Sequence, residues 1–327
     1  MNLEDMFTVT TLTAAINKIP TIPTRAGELG IFEEEGIATT SVVIESRDGR
    51  LFLVKNIGRD EDPTPVKNNK SKRRTFETTH LPASAQLLPS DLQNFNSFGD
   101  NDATDYQAQT INNKLETMKN SLEVTREFQR IGALCGRILD SDGSVIYDLY
   151  KEFGVTQKSI IVPLSADDTN VRKLLMDAKR HSESKLTGAL VTGYKAFCGK
   201  DWFDAFVDHP NVQKAYANYQ EAADRLGGDM RKGFTFGGIE FEEYNATVSK
   251  QNFLPADVAR VFPIAKGGVY KMYNAPANYN ETVNTIGLPH YAKAEERSMG
   301  KGWDLEAQAN PLAICTYPEA LVELKMS

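Results

Sequence analysis

Cysteine is scarce in this chain. Cys135, Cys198 and Cys315 are the only three in 327 residues, and no Cys-x-x-Cys pair occurs. An odd number of widely spaced thiols in apolar surroundings excludes a disulfide framework and predicts three reduced, buried side chains. Histidine is almost as rare: His80, His181, His209 and His290 share no spacing, and there is no His-Glu-x-x-His pair for a zincin. The Gly-x-Ser-x-Gly elbow of the serine hydrolases is also missing. No apolar run approaches the roughly 20 residues of a membrane span. The N-terminus, MNLEDMF, carries acids where a secretory signal carries bases. These absences predict a soluble product made in the cytosol, without membrane contact. Basic charge is in deficit, 37 Lys and Arg against 44 Asp and Glu, a net −7. Phosphate contacts dominate nucleic-acid affinity, so that balance argues against a chain that grips DNA along its whole surface.

What is present is ordinary globular material, 41% hydrophobic and 25% charged, in a chain long enough for one large domain or two. Residues 1 to 36 hold prolines at 20 and 23 and glycines at 27, 30 and 36. Proline removes donors and glycine loosens the backbone, which predicts an irregular leader lying extended on another surface. TTSVVIESRDGRLFLVKN (39 to 56) predicts a hairpin turning at Asp48-Gly49. GRDEDPTPVKNNKSKRRTF (58 to 76) follows. It opens with Asp60, Glu61 and Asp62 and closes with Lys67, Lys70, Lys72, Arg73 and Arg74. RRTFETTHLP (73 to 82) then predicts a strand ended by Pro82. The chain thus runs out along one strand, through a charge-split tip, and back. Such a ribbon is marginal alone and needs a surface to lie on.

A turn-rich linker (90 to 105) leads into the longest predicted helix, 105 to 135. Ile111, Leu115, Met118 and Leu122 recur at helical spacing, and Val124, Phe128, Ile131 and Cys135 repeat it on a shifted phase. Thr104 with Gln107 resembles a capping box, and Gly136 is a fitting stop. Asp142-Gly143 predicts a second hairpin. The Asp-Ser-Asp-Gly string there lacks the later glutamate of a calcium loop. Beyond it the pattern predicts a helix at 169 to 186, a buried strand at 189 to 199, helical segments at 200 to 226 broken at Pro210, and strands at 233 to 245 and 267 to 276. A charged stretch (290 to 304) precedes two closing strands, 305 to 317 and 319 to 326. This order indicates α+β, with no internal repeat. The glycine-rich GGDMRKGFTFGG (227 to 238) lacks the Gly-Lys-Ser/Thr of a phosphate loop and reads as a turn into a strand. Glu33, Glu34 and Glu35 cluster without a partner acid or ligand, which suits a solvated or intersubunit face. The residues predict no catalytic site, no metal and no cofactor.

Three segments carry a resemblance: GIFEEEGIATTSVVIES (30 to 46), NFLPADVARVFPIAKGGVYKMY (252 to 273) and ANPLAICTYPEALVELKM (309 to 326). In order and separation they resemble the lambda-type major capsid proteins of tailed phages, the capsid protein E family with the HK97-like shell fold. The resemblance implies an N-terminal arm at 1 to 36 and a strand with an E-loop hairpin at 37 to 90. It implies a peripheral domain with its spine helix at 91 to 165, an axial domain at 166 to 315, and a returning peripheral strand at 316 to 327. It also implies self-assembly into pentamers and hexamers of an icosahedral head that encloses double-stranded DNA. The partners would be a separate scaffolding protein, a portal and a decoration protein, with only weak contact to DNA. The chain would be in host cytoplasm during assembly and in the virion afterwards. Intersubunit contacts would fall on Asp60, Glu61, Asp62, Lys67, Lys70, Lys72, Arg73 and Arg74 at the E-loop tip, and on Glu33, Glu34 and Glu35. The alternatives are an encapsulin-type compartment of the same fold, or an α+β enzyme with a site not visible in the sequence.

Overall fold

Helix signals at both ends of the chain's longest periodic stretch set the architecture. In a computed structural model, which describes residues 8–20, 24–46, 72–93, 103–186, 189–213, 231, 233–248 and 251–327, the elements run as follows. The N-terminal part contains α1 (Val9–Lys18), α2 (Arg25–Glu28) and β1 (Glu33–Gly36). Next come β2 (Ser41–Ser46), β3 (Lys72–Glu77), β4 (Leu81–Leu87), α3 (Pro89–Gln93) and the long α4 (Ala103–Cys135). The middle holds β5 (Arg137–Leu139), β6 (Val145–Asp148), α5 (Leu149–Phe153), β7 (Lys158–Val162), α6 (Val171–Lys185), β8 (Leu190–Cys198) and α7 (Lys200–Asp208). Then follow β9 (Phe234–Phe236), β10 (Ile239–Glu243), β11 (Thr247–Val248), β12 (Gln251–Asn252), β13 (Val258–Lys266) and β14 (Tyr270–Asn274). The chain closes with β15 (Tyr291–Glu296), β16 (Trp303–Ala309), β17 (Pro311–Cys315) and β18 (Val322–Met326). The mixture is α+β, as the order of sequence signals predicts.

Two compact units form, each from three separated stretches of chain. The first comprises Met1–Val42, Thr75–Arg130 and Lys271–Ile314. Here β4, β16 and β15 make a three-stranded antiparallel sheet, with Leu305 opposite Ala85 and Ala307 opposite Ala83. Side chains alternate across a strand, so Ala83, Ala85, Leu87, Ala307 and Ala309 share one face with Leu305. Their small size lets helices sit close. Leu12 and Ile16 of α1 and Ile111, Leu115, Met118 and Leu122 of α4 bury against that face. A second sheet, β1-β14-β17, begins with a parallel pairing of Glu34 opposite Met272.

The second unit comprises Val43–Arg74, Ile131–Tyr270 and Cys315–Ser327. Its frame is a six-stranded sheet in the order β7-β18-β13-β8-β10-β9. Amphipathic α6 and α7 cover it, burying Val171, Leu175, Trp202, Phe203 and Phe206. Trp202 stacks on Phe206 at 4.9 Å and on Phe241 at 5.7 Å between ring centroids. Pro263 sits in β13 beyond the end of its pairing with β18, where a missing donor interrupts no bond on that side. The final strand β18 runs antiparallel to β13 and parallel to β7.

The long helix extends 33 residues, about 50 Å at 1.5 Å per residue. It stops where Gly136 takes a φ of +76°, with the Tyr150 ring only 2.4 Å from where a Cβ would stand. The next turn closes through Gly143, at φ +85°, and the bond from Asp140 N to Ser144 O. Asp148 then caps α5, accepting from Tyr150 N and Lys151 N.

Several expectations need correction. The leader is not irregular: Thr8 Oγ1 accepts from Thr11 N to start α1, and that helix packs on β15 of its own chain. A single apolar stripe, Leu12 and Ile16, outweighs the two prolines because both lie outside the helix. Pro82 does not end a strand. It lies inside β4, an edge strand whose outer side needs no donor. The charged stretch 290 to 304 is largely hairpin, because Ala292 and Ala294 alternate with the charges and face the core. The segment 305 to 317 is two strands in different sheets, divided after Ala309. The Asp48-Gly49 turn lies outside the described residues, as do the side chains of Thr104 and Gln107.

Replacing Phe206 by Ala should cost about 3–5 kcal/mol by opening a cavity beneath Trp202. Urea unfolding followed by tryptophan fluorescence measures it against Ile161→Ala, an exposed control. Equal midpoints for the two variants would contradict this packing account.

Candidate functional site

The most concentrated chemistry lies on a face of α4 between its two apolar stripes. At 100° per residue, Lys119, Glu123, Arg126, Glu127 and Arg130 share that face. All five are buried. Buried charges must be paired, because desolvation of an isolated ion costs far more than a fold can supply. Each is paired here, mostly with the N-terminal segment of the same unit.

Lys119 Nζ donates to Ile16 O at 3.1 Å and Ile19 O at 2.6 Å, capping the end of α1 with a cation. Glu127 accepts from the backbone at Ala26 N (2.6 Å) and Gly27 N (3.2 Å), holding α2. Glu34 of β1 receives Arg126 Nη2 at 3.2 Å and Arg130 Nη2 at 2.9 Å. Arg126 also reaches Pro289 O at 3.0 Å. Glu123 takes Nε2 of His290 at 2.6 Å, with the Arg126 Nε 3.6 Å away. Asn17 completes the seam, donating to His290 O at 2.8 Å. Lys119, Arg126 and Arg130 face Glu28, Glu34 and Glu123 around a cavity of about 370 Å³.

Burial pushes the Glu123 carboxyl up, but the His290 hydrogen bond and the charges of Arg126 and Arg130 pull it further down, to about 2. His290 is held below the ordinary histidine value, first by burial and then by Arg126, against the opposing pull of Glu123. The Glu123 carboxylate can only accept, so the imidazole donates to it from Nε2. Burial likewise lowers Lys119. This network binds strands and helices together; it has the chemistry of a clamp. Among the described residues no His, Cys, Asp and Glu group is arranged to hold a metal ion.

The structure distributes the expected contact residues unevenly. Asp60, Glu61, Asp62, Lys67 and Lys70 lie outside the described residues, as does the side chain of Lys72. Arg73 is exposed on β3, whereas Arg74 lies over the Phe153 ring at 5.4 Å within its own unit. Glu33 and Glu35 are exposed. Glu34 is exposed as well, and its carboxylate pairs with Arg126 and Arg130 of its own chain. Sequence reading also missed Lys119, Glu123, Arg126, Glu127, Arg130 and His290. Charges at this spacing ordinarily mark a solvated helix face. The available signal was the phase shift at Val124, since a helix apolar on two faces leaves little surface for water.

The family model for phage major capsid protein E matches residues 8–326. The major capsid protein of Salmonella phage Felix O1 is 24% identical, over 98% of this chain and 97% of that one. The major capsid protein of Pseudomonas phage KPP10 is 27% identical, over 99% and 98%. A crystal structure of a prophage protein from E. coli CFT073, assigned as its capsid protein, superposes with a TM-score of 0.60 at 13% identity. It covers 98% of this chain and 99% of that one.

Because His290 titrates lower in the folded chain than in the unfolded one, the unfolded chain takes up its proton first as pH falls. Stability should therefore be full above about pH 6.5 and decline as pH falls through the lower folded value. His290→Gln should flatten that decline in thermal melts between pH 7.5 and 5, leaving the share due to His181, which burial also lowers. An unchanged slope would contradict the assignment.

Proposed function

The chain belongs to the phage major capsid protein E family, and from that membership we propose how it works: many copies close, as pentamers and hexamers, into the icosahedral head around the genome. It is a major capsid protein of tailed phages with the HK97-like fold. The observation that carries the proposal is the family match over residues 8–326.

The role is structural and non-catalytic. In this reading 37 to 90 is the E-loop ribbon, 91 to 165 the peripheral domain with its spine helix, 166 to 315 the axial domain and 316 to 327 the returning strand. The charge-split tip supplies register. Asp60, Glu61, Asp62, Lys67, Lys70, Lys72, Arg73 and Arg74 meet opposite charges on a neighbouring copy, and exposed Glu33, Glu34 and Glu35 offer such charges. Each exposed pair contributes only about 0–1 kcal/mol, so repetition around a closed shell gives the effect its weight. A net −7 suits a container wall that DNA should not stick to. A separate scaffolding protein, a portal and a decoration protein complete the assembly, which takes place in host cytoplasm.

Electron microscopy of the chain, expressed with its neighbouring phage genes, should show shells, tubes or rings; a monodisperse monomer under those conditions would refute the proposal. Limited proteolysis gives the finer test. Residues 59 to 74 should resist cleavage in assembled particles compared with free subunits, and equal sensitivity would remove the tip from the interface.

A further inference from the structure

The first unit carries an apolar knob and an apolar hole at opposite ends of one hairpin. The knob is Met299, in the turn between β15 and β16. It is 88% exposed and adopts φ +66°, a conformation that glycine holds freely and methionine does not. The turn itself is well tied, by Arg297 N to Gly302 O at 2.9 Å and Gly300 N to Arg297 O at 3.1 Å. A fixed turn thus presents a large apolar side chain to water in a backbone state it disfavours. Such outliers persist where something else uses them.

The hole lies at the far end of β15. Val9 and Ala14 of α1 form one wall, and Ile286, Leu288 and Tyr291 form the other, around a groove of about 450 Å³. Its loop wall is preformed: Leu288 N donates to the Tyr291 hydroxyl at 2.9 Å, and that hydroxyl donates to Ile286 O at 3.3 Å. Ile286 is 70% exposed, and Leu288 is also exposed. Glu281 is the one charged residue in the lining. Lys293 engages it at 2.9 Å, yet about half of its side chain stays open to solvent.

From Tyr291 to Glu296 the strand rises about 3.3 Å per residue, so knob and hole are separated by more than a methionine side chain can bridge. They cannot satisfy each other within one chain. We infer that the Met299 turn of one copy seats in the groove of a second copy, with the exposed Lys301 beside it toward Glu281. Methionine suits this task because its unbranched thioether adapts to an irregular apolar hole. A patch that fits a different patch on an identical molecule makes a head-to-tail contact, which closes into rings or continues as a lattice. The inference rests on the shell reading, which supplies the second copy.

The test places p-benzoylphenylalanine at position 286 in particles assembled from the full chain. Irradiation should give covalent dimers whose cross-linked peptides join position 286 to residues 297 to 302 of another copy. Capture of residues 1 to 7 of the same chain, or of a different head protein, would overturn the contact while leaving the shell intact. In parallel, Met299→Gly should melt no lower than wild type and yet reduce particle yield about tenfold or more. Wild-type particle yield from that variant would also overturn it. If the unmodified chain formed no particles, the shell reading would fail and this contact with it.

Discussion

Arg126 is the residue on which the first unit depends. Its guanidinium is 2% exposed, and it is held between Glu34 of β1, Glu123 of its own helix and the carbonyl of Pro289. A cation so placed cannot return to water without dismantling its surroundings. Removing one partner of such a buried cluster typically costs about 3–5 kcal/mol, since the others are left uncompensated. The clamp thereby makes the N-terminal segment and the 286 to 291 loop part of the same structure as the long helix. An apolar seam could hold them as tightly, but it would specify the register less well; bidentate and capping geometries accept only one arrangement.

The second unit is stabilised differently. Its six-stranded sheet is covered by a nearly unbroken aromatic layer, Trp202, Phe203, Phe206, Phe234 and Phe241. Its internal ion pairs, such as Arg260 with Glu323 at 2.6 Å and Lys195 between Glu240 and Glu242, lie along paired strands. A shell subunit must keep its own shape while meeting several slightly different neighbours. One unit fixed by specific charges and one fixed by aromatic burial both meet the first requirement.

Much of this was legible. The helix at 103 to 135 announced itself by two apolar stripes and a terminal glycine, and β8, β13 and β18 by continuous or alternating apolar runs. What escaped detection shares one cause. Pairing in space between residues far apart in sequence overrode the local signal. Two prolines hid α1 because its burial partners, Ala292 and the α4 stripe, are more than ninety residues away. The charges of 290 to 304 hid β15, whose strand identity comes from β16. Arg126 and Arg130 looked like a solvated face because their partner Glu34 lies over ninety residues earlier. The family resemblance, carried by three short segments, spoke to function where no motif did.

Hydrogen exchange on wild type and Arg126→Met would test the clamp most directly. The account predicts that amides of 9 to 18 and 25 to 36 lose protection in the variant, while the amides of β8, β13 and β18 exchange as before. Unchanged protection across 9 to 36, with the variant folded, would show that the apolar contacts of Leu12 and Ile16 hold the segment alone and that the charge network is not what fixes it.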